Sequence, residues 1–281
     1  MAIMLAENNY GCSRIHLLRV SRQQGRHDIR EIVLSIRLEG DFESAHIQGD
    51  NRKILPADTM KNTVHALARQ HSIEPLENFG LHLIEHFLTY NAQITAVIID
   101  GSERIWARLT LGAKPHPSAF TRTAGEERTV SLRGNRDGTH VRAGIANLLV
   151  LKTTGSAFKD FRKDPYTTLR DEVDGIFSTS IHADWLYSDE EAEFGQLWHG
   201  VRNMLLETFA EHDSQSSQHT LYAMGQAILD NFAGVREIHL ALPSTNFYPA
   251  DLKPLGMDNP GTVFLPIPEP YNTIDATLRK S

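Results

Sequence analysis

The 281-residue sequence predicts an α+β fold in which antiparallel sheets carry helices on one face, the whole arrangement being written twice. Three observations lead there. Several short segments alternate apolar and polar residues with the period of two that half-buried strands need. Between them lie pairs of segments whose apolar residues recur at helical spacing. The order strand, strand, helix, helix, strand, strand then recurs, so each half offers a sheet with one apolar face and two helices to cover it.

Residues 10–20 and 29–39 (IREIVLSIRLE) read as the first two strands, joined by the polar stretch SRQQGRHD. Residues 58–70 (DTMKNTVHALARQ) and 74–90 carry helical spacing, with Asp58 or Thr59 able to cap the first helix. QITAVIID and RIWARLTL follow as strands about the turn residues Gly101 and Ser102. A seam at TAGEER, residues 123–128, separates a first domain over 1–125 from a second over 126–281. The second half opens with the strands ERTVSLRG and THVRAGIANLLVLKTT, joined at NRDG, where Asp137-Gly138 is a hairpin signal. IFSTSIHADWLYS reads as extended, EFGQLWHGVRNMLLETFAEH and QHTLYAMGQAILDNFA as amphipathic helices, and VREIHLALP and YNTIDATLR as closing strands. Sheets of this kind leave edges that invite pairing with another chain, and closure into a homo-oligomeric barrel removes them.

A net charge of −7 argues against non-specific nucleic-acid binding. No apolar run approaches the roughly 20 residues of a membrane helix, and the N-terminal stretch lacks the pattern of a signal peptide. The C-terminal LRKS is not a peroxisomal signal. Cys12 is the single cysteine, which rules out an intrachain disulfide and suits a reducing, cytoplasmic setting. Neither a dinucleotide nor a phosphate-loop motif occurs, which argues against nucleotide cofactors. HLIEH at 82–86 matches a zinc-protease pattern, but its apolar neighbours Leu83, Ile84, Phe87 and Leu88 make it a packing helix, so no metal is expected.

Nine segments, in order, resemble the uricase (urate oxidase) family: YG at 10–11, GDN at 49–51, DTMKNTV at 58–64, LKTTGSAF at 151–158, DPYTTLRDEVD at 164–174, QHTLYAMGQAI at 218–228, LPSTNFYPADL at 242–252, GMDNPGTVF at 256–264 and DATL at 275–278. The resemblance implies tandem tunnelling-fold (T-fold) domains assembled as a homotetramer around a tunnel. It also implies active sites between subunits that use neither metal nor organic cofactor, with molecular oxygen as co-substrate.

Carried over residue by residue, the family's threonine is Thr59, its stacking phenylalanine Phe158 and its ring-gripping glutamine Gln218, preceded by Ser217. Four positions depart from the family pattern. Cys12 stands where the resemblance places lysine, and Gly175 where it places arginine. Ser244 stands for an oxygen-site asparagine and Asn246 for a catalytic histidine, with Thr245 between them. A threonine hydroxyl is no base near neutral pH without an activating neighbour. Histidine is the side chain that titrates nearest neutrality, and arginine grips an anion through charge-assisted bonds. A phenylalanine face can still stack a flat ring, and a glutamine amide still matches a –CO–NH– edge.

These residues point to a divergent, cofactor-independent oxidase of a planar purine-like or lactam-bearing heterocycle, with uric acid doubtful. Thr59, Cys12 and Asn246 are its candidate catalytic residues, and Phe158, Gln218, Ser217, Gly175 and Ser244 its candidate substrate contacts. The alternatives are a non-oxidative enzyme (hydration, cyclisation or hydrolysis) using Cys12 as nucleophile, and an inactive binding paralogue. Cys12 can equally be a base or a space-filler. Phe158 as core and Gln218 as a helix cap is the competing structural reading, and His219 is either a base or a solvated helix residue.

Overall fold

The computed structural model describes residues 3–190, 192–267 and 272–281, with the backbone alone at 123 and 124. In chain order the elements are β1 (Tyr10–Gln23), β2 (Arg26–Gly40), α1 (Glu43–Gln48), α2 (Ala57–Gln70), α3 (Leu76–Tyr90), β3 (Ile94–Leu111), β4 (Lys114–Asn135), β5 (Gly138–Lys152) and β6 (Phe177–Tyr187). Then follow α4 (Phe194–Glu211), α5 (Ser217–Asn231), β7 (Val235–Ala241), β8 (Ser244–Thr245), β9 (Phe247–Pro249), β10 (Phe264–Pro266) and β11 (Asp275–Arg279). Tyr271, in the last predicted strand, lies outside the described residues. Among those described, no helix is long and apolar enough to cross a membrane.

The chain forms two compact units, Met1–Gly144 with Trp185–Trp198, and Ile145–Asp184 with His199–Ser281. In the first, the strands run in the order β1-β2-β3-β4 with the start of β5 beyond. Alternation along β2 buries Ile32, Leu34, Ile36 and Leu38. Against the sheet, α2 buries Met60, Val64 and Leu67, and α3 buries Phe79, Leu83, Ile84 and Phe87. In the second unit the order is β5-β6-β7-β11, and α4 and α5 bury Val201, Leu205, Phe209, Leu221, Met224 and Ile228. A Cβ at Gly225 of α5 would come within 2.9 Å of Leu278, so glycine there lets the helix lie close on β11. Both units are α+β, with antiparallel strands and helices on one face, the T-fold arrangement that the sequence predicts. Among the described residues β1 and β11 each have one hydrogen-bonded neighbour strand and are edges.

Three local readings are corrected. No turn interrupts the chain at Gly101 and Ser102; both lie inside the 18-residue β3. Glycine is used there for space, since a Cβ at 101 would lie 2.6 Å from Leu34 Cδ2, and the turn comes instead at Gly112, where φ is +59°. Residues 114–135 form the 22-residue β4, whose Thr121 and Arg122 pair with Ala107 and Trp106. The stretch 123–128, where the sequence reading sets its seam, runs inside that strand. Neither Asp58 nor Thr59 caps α2, because the helix starts at Ala57 and its N-cap is Pro56. The hairpin expected near Asp137-Gly138 joins β4 to β5, with Asn135 Oδ1 accepting from Asp137 N at 2.8 Å.

Burial in the first unit includes one ion pair. Arg128 on β4 donates to Glu77 on α3 at 2.5 Å, and both side chains are almost wholly buried. Tyr187 donates to the other carboxylate oxygen at 3.2 Å, while the guanidinium lies 5.1 Å from the Trp198 ring centroid. Burial, followed by the Glu77 charge, pushes the Tyr187 hydroxyl well above its ordinary range, so it stays a donor. Removing one member of such a pair strands the other's charge. Glu77→Ala is therefore expected to destabilise the fold by about 3–5 kcal/mol, read as a lowered urea midpoint, with Glu77→Gln costing less.

Candidate functional site

In the first unit, the Tyr10-Gly11 pair is structural. The Tyr10 ring meets Phe42 edge-on at 4.7 Å, and its hydroxyl accepts from Leu55 N at 2.8 Å, fixing the segment that leads into α2. Gly11 has no room for a side chain, because a Cβ would overlap the Ile36 carbonyl. Immediately after it, the β1–β2 register slips between Cys12 and Ile15. Arg14 takes a left-handed φ of 57° and donates its N–H to Ser35 Oγ at 3.2 Å. The bulge leaves Cys12 half-exposed at the sheet's edge.

Thr59, on the exposed first turn of α2, accepts at its carbonyl from Thr63 Oγ1 at 2.9 Å. Two residues on, Lys61 pairs with Asp58 at 2.8 Å. That bond holds the Lys61 ammonium above the ordinary lysine range, and Cys12 adds a smaller pull of the same sign. The structure thus brings Cys12 and the DTMKNT helix start into one electrostatic neighbourhood. Sequence reasoning quoted Lys61 inside its motif and gave it no role.

Thr59 also borders an open groove of about 720 Å³ between α2 and α3. His82 stacks on His71 there at 4.6 Å, and burial holds the His86 imidazole below its ordinary value beside Tyr90. Among the described residues no three His, Cys, Asp or Glu side chains are placed to hold a metal ion.

In the second unit the site is built on the segment 155–158, hydrogen-bonded on both sides. On one side Phe158 and Glu172 exchange backbone bonds at 2.8 and 2.9 Å, and Gly175 N donates to Ser156 O at 2.6 Å. On the other, Ala157 N donates to Ser214 O at 2.7 Å and Ser214 N to Gly155 O at 2.9 Å. Asp174 clamps the turn by accepting from Thr154 Oγ1 and Gly155 N, each at 2.7 Å, and those bonds hold its carboxyl below the usual range. Phe158 is 40% exposed and stacks on Phe161 at 5.0 Å and 10°. It is not core.

From Ser214 the chain enters α5. Ser216 is the N-cap, its hydroxyl accepting from His219 N at 3.1 Å. Ser217 opens the helix and Gln218 is its exposed second residue, so Gln218 is not the cap. The segment 155–158 thus holds Phe158 and Gly175 together and ties them to Ser214, three residues before Ser217 and four before Gln218. Ser244 and Asn246 are held by another element: β8 pairs along β6, which begins two residues after Gly175, with Thr179 opposite Ser244. Ser244 is buried and donates its hydroxyl to Leu242 O at 3.3 Å. Asn246, half-buried, accepts at its carbonyl from Ile267 N at 2.9 Å.

Behind Gln218 lies a buried hydroxyl relay. Thr220 Oγ1 donates to Ser214 Oγ at 2.8 Å, Ser214 Oγ donates to Ser216 O at 3.0 Å, and His212 Nδ1 meets Thr220 Oγ1 at 3.1 Å. The His219 ring lies against His212 with centroids 4.3 Å apart. Burial, then the His219 and Lys152 charges, lowers the His212 pKa below its ordinary 6.5. The unfolded imidazole therefore takes up its proton first, and stability falls as pH drops through 6.5 toward the depressed folded value. His212→Gln is expected to flatten the fall in melting temperature between about pH 7 and pH 5; a slope unchanged from the parent would contradict this assignment.

Two further residues escaped the sequence reading. Phe161 extends the aromatic face. Glu172 fills the space beside Gly175, since a Cβ at 175 would overlap its carboxylate and lie 2.9 Å from the second oxygen, Oε2.

Comparison with known proteins agrees with this architecture. Residues 8–133 and 141–275 match the profile of the family described as Uricase. The uricase of Arthrobacter globiformis is 37% identical over 278 residues, spanning 99% of this chain and 90% of its own. That of Dictyostelium discoideum is 31% identical over 281 residues, spanning 99% and 98%. The crystal structure of the Arthrobacter globiformis enzyme superposes with a TM-score of 0.93 over 100% of this chain and 96% of the other.

Proposed function

Because the chain belongs to the uricase family, we propose that it is an oxidase of a planar, lactam-bearing heterocycle, working without metal or organic cofactor, and that uric acid is a poor substrate for it. The observation that carries the finer part of this reading is the carboxylate of Glu172 standing where a side chain at Gly175 would begin. A urate-like anion brought to that edge would meet a negative charge. The half-exposed Phe158–Phe161 stack still offers a ring a flat face, and Gln218 an amide for a lactam edge.

In such an oxidation the deprotonated ring gives two electrons to molecular oxygen, which leaves as hydrogen peroxide, and water adds to the oxidised ring. Thr59 positions water or oxygen, Asn246 holds the other, and Cys12, in the field of Lys61, handles the proton. A substrate that is already acidic or easily oxidised needs little help from a protein base. Joining the β1 and β11 edges of neighbouring copies would give a homotetrameric ring with sites between subunits, in the cytoplasm.

The Cys12–Lys61 neighbourhood also suits a second reading, with Cys12 as the nucleophile of a non-oxidative reaction. Cys12→Ser abolishes turnover under that reading, whereas in the oxidase it slows oxygen uptake. An inactive binder would leave its affinity nearly unchanged. The direct test combines Cys12→Lys, Gly175→Arg and Asn246→His with Glu172→Ala and measures oxygen uptake on urate. A gain of about 10²-fold or more over the parent is expected; no gain would mean that these positions do not set the substrate.

A further inference from the structure

The reciprocal backbone pair between Phe158 and Glu172 constrains more than the backbone. Residues that exchange both N–H···O bonds across an antiparallel pair stand about 5.5 Å apart at Cα, with their side chains on the same face. The Glu172 carboxylate and the Phe158 ring therefore leave the ribbon together. Two residues of one charge, Asp174 and Glu172, sit in this turn, but only Asp174 is used to build it, by Thr154, Gly155 and Ser156. Among the described residues the Glu172 carboxylate, exposed, has no ion-pair or hydrogen-bond partner. It lies over Gly175, whose lack of a side chain makes the space. The aromatic pair already receives a cation, since Lys163 Nζ lies 5.1 Å from the Phe161 centroid while paired to Asp171 at 3.1 Å.

We infer that the ligand of this site presents an amino group to Glu172, and so belongs to the class of amino-lactam heterocycles, a flat ring carrying an exocyclic amine beside a –CO–NH– edge. The inference rests on the planar-heterocycle reading above and names the edge that distinguishes its substrate. Phe158 stacks the ring, Glu172 accepts from the amine, and Gln218 pairs with the lactam. A carboxylate accepting a ligand N–H is a charge-assisted bond, worth about 10- to 100-fold in affinity. The same carboxylate repels a ring that carries only carbonyls and a negative charge there, as urate does.

The probes are guanine and hypoxanthine, which differ only in the 2-amino group, with urate as the anionic comparison, all measured by equilibrium dialysis on the full chain. Guanine is expected to bind about 10- to 100-fold more tightly than hypoxanthine, with urate weakest. Glu172→Gln, an exposed and nearly isosteric change, should remove most of the guanine preference while leaving hypoxanthine binding within about threefold. Phe158→Ala should weaken both purines alike. Equal binding of the two purines, or a preference that survives Glu172→Gln, overturns the inference while leaving the stacking site standing, provided that Phe158→Ala still weakens both. If no purine binds the parent chain, the planar-heterocycle reading and this inference fall together.

Discussion

The second unit's candidate site depends on one short segment bonded on both sides. Residues 155–158 bond to 172–175 on one side and to Ser214 on the other, so the phenylalanine, the glycine and the start of α5 cannot move independently. Register decides the chemistry: because Phe158 is opposite Glu172, an aromatic face and a carboxylate emerge side by side. A slip of one residue would turn Glu172 to the other face of the ribbon. The relay from Ser214 through Thr220 to His212 ties the same strand to the interior, since Ser214 and Thr220 are both fully buried.

In the first unit, constraint works through close approach. Gly11 lets β1 ride against the Ile36 carbonyl, and Cys12, at the register slip that follows, is half-exposed in the electrostatic neighbourhood of Lys61. At position 12, where the resemblance would place a lysine, stands a half-exposed thiol, and at position 175, where it would place an arginine, the space is taken by the Glu172 carboxylate. On the reading proposed above, each position would offer an anionic ring less positive charge than the family pattern implies. Lys61, within the DTMKNTV segment, places a positive charge in the electrostatic neighbourhood of Cys12.

Much of this was legible in the residues. The alternation of β2, the helical spacing of α2 and α5, and the Asp137-Gly138 hairpin are local signals, and local signals survive without tertiary information. Gly101 misled because glycine serves both turns and tight packing, and only the position of Leu34 tells which. The ion pair of Glu77 with Arg128 was invisible because the partners are 51 positions apart and each looks like an ordinary surface charge. The family resemblance pointed to Phe158, Gly175 and Gln218; it could not point to Glu172, whose place beside Gly175 arises from a cross-strand register that sequence motifs do not encode.

The account turns on a single physical claim: the edge that would grip an anionic ring carries a carboxylate in this chain. The most direct measurement is steady-state oxygen uptake on urate by the parent protein, run beside the Arthrobacter globiformis uricase under identical conditions. A rate lower by about 10²-fold or more is the predicted result. Rates within tenfold of each other would contradict the claim.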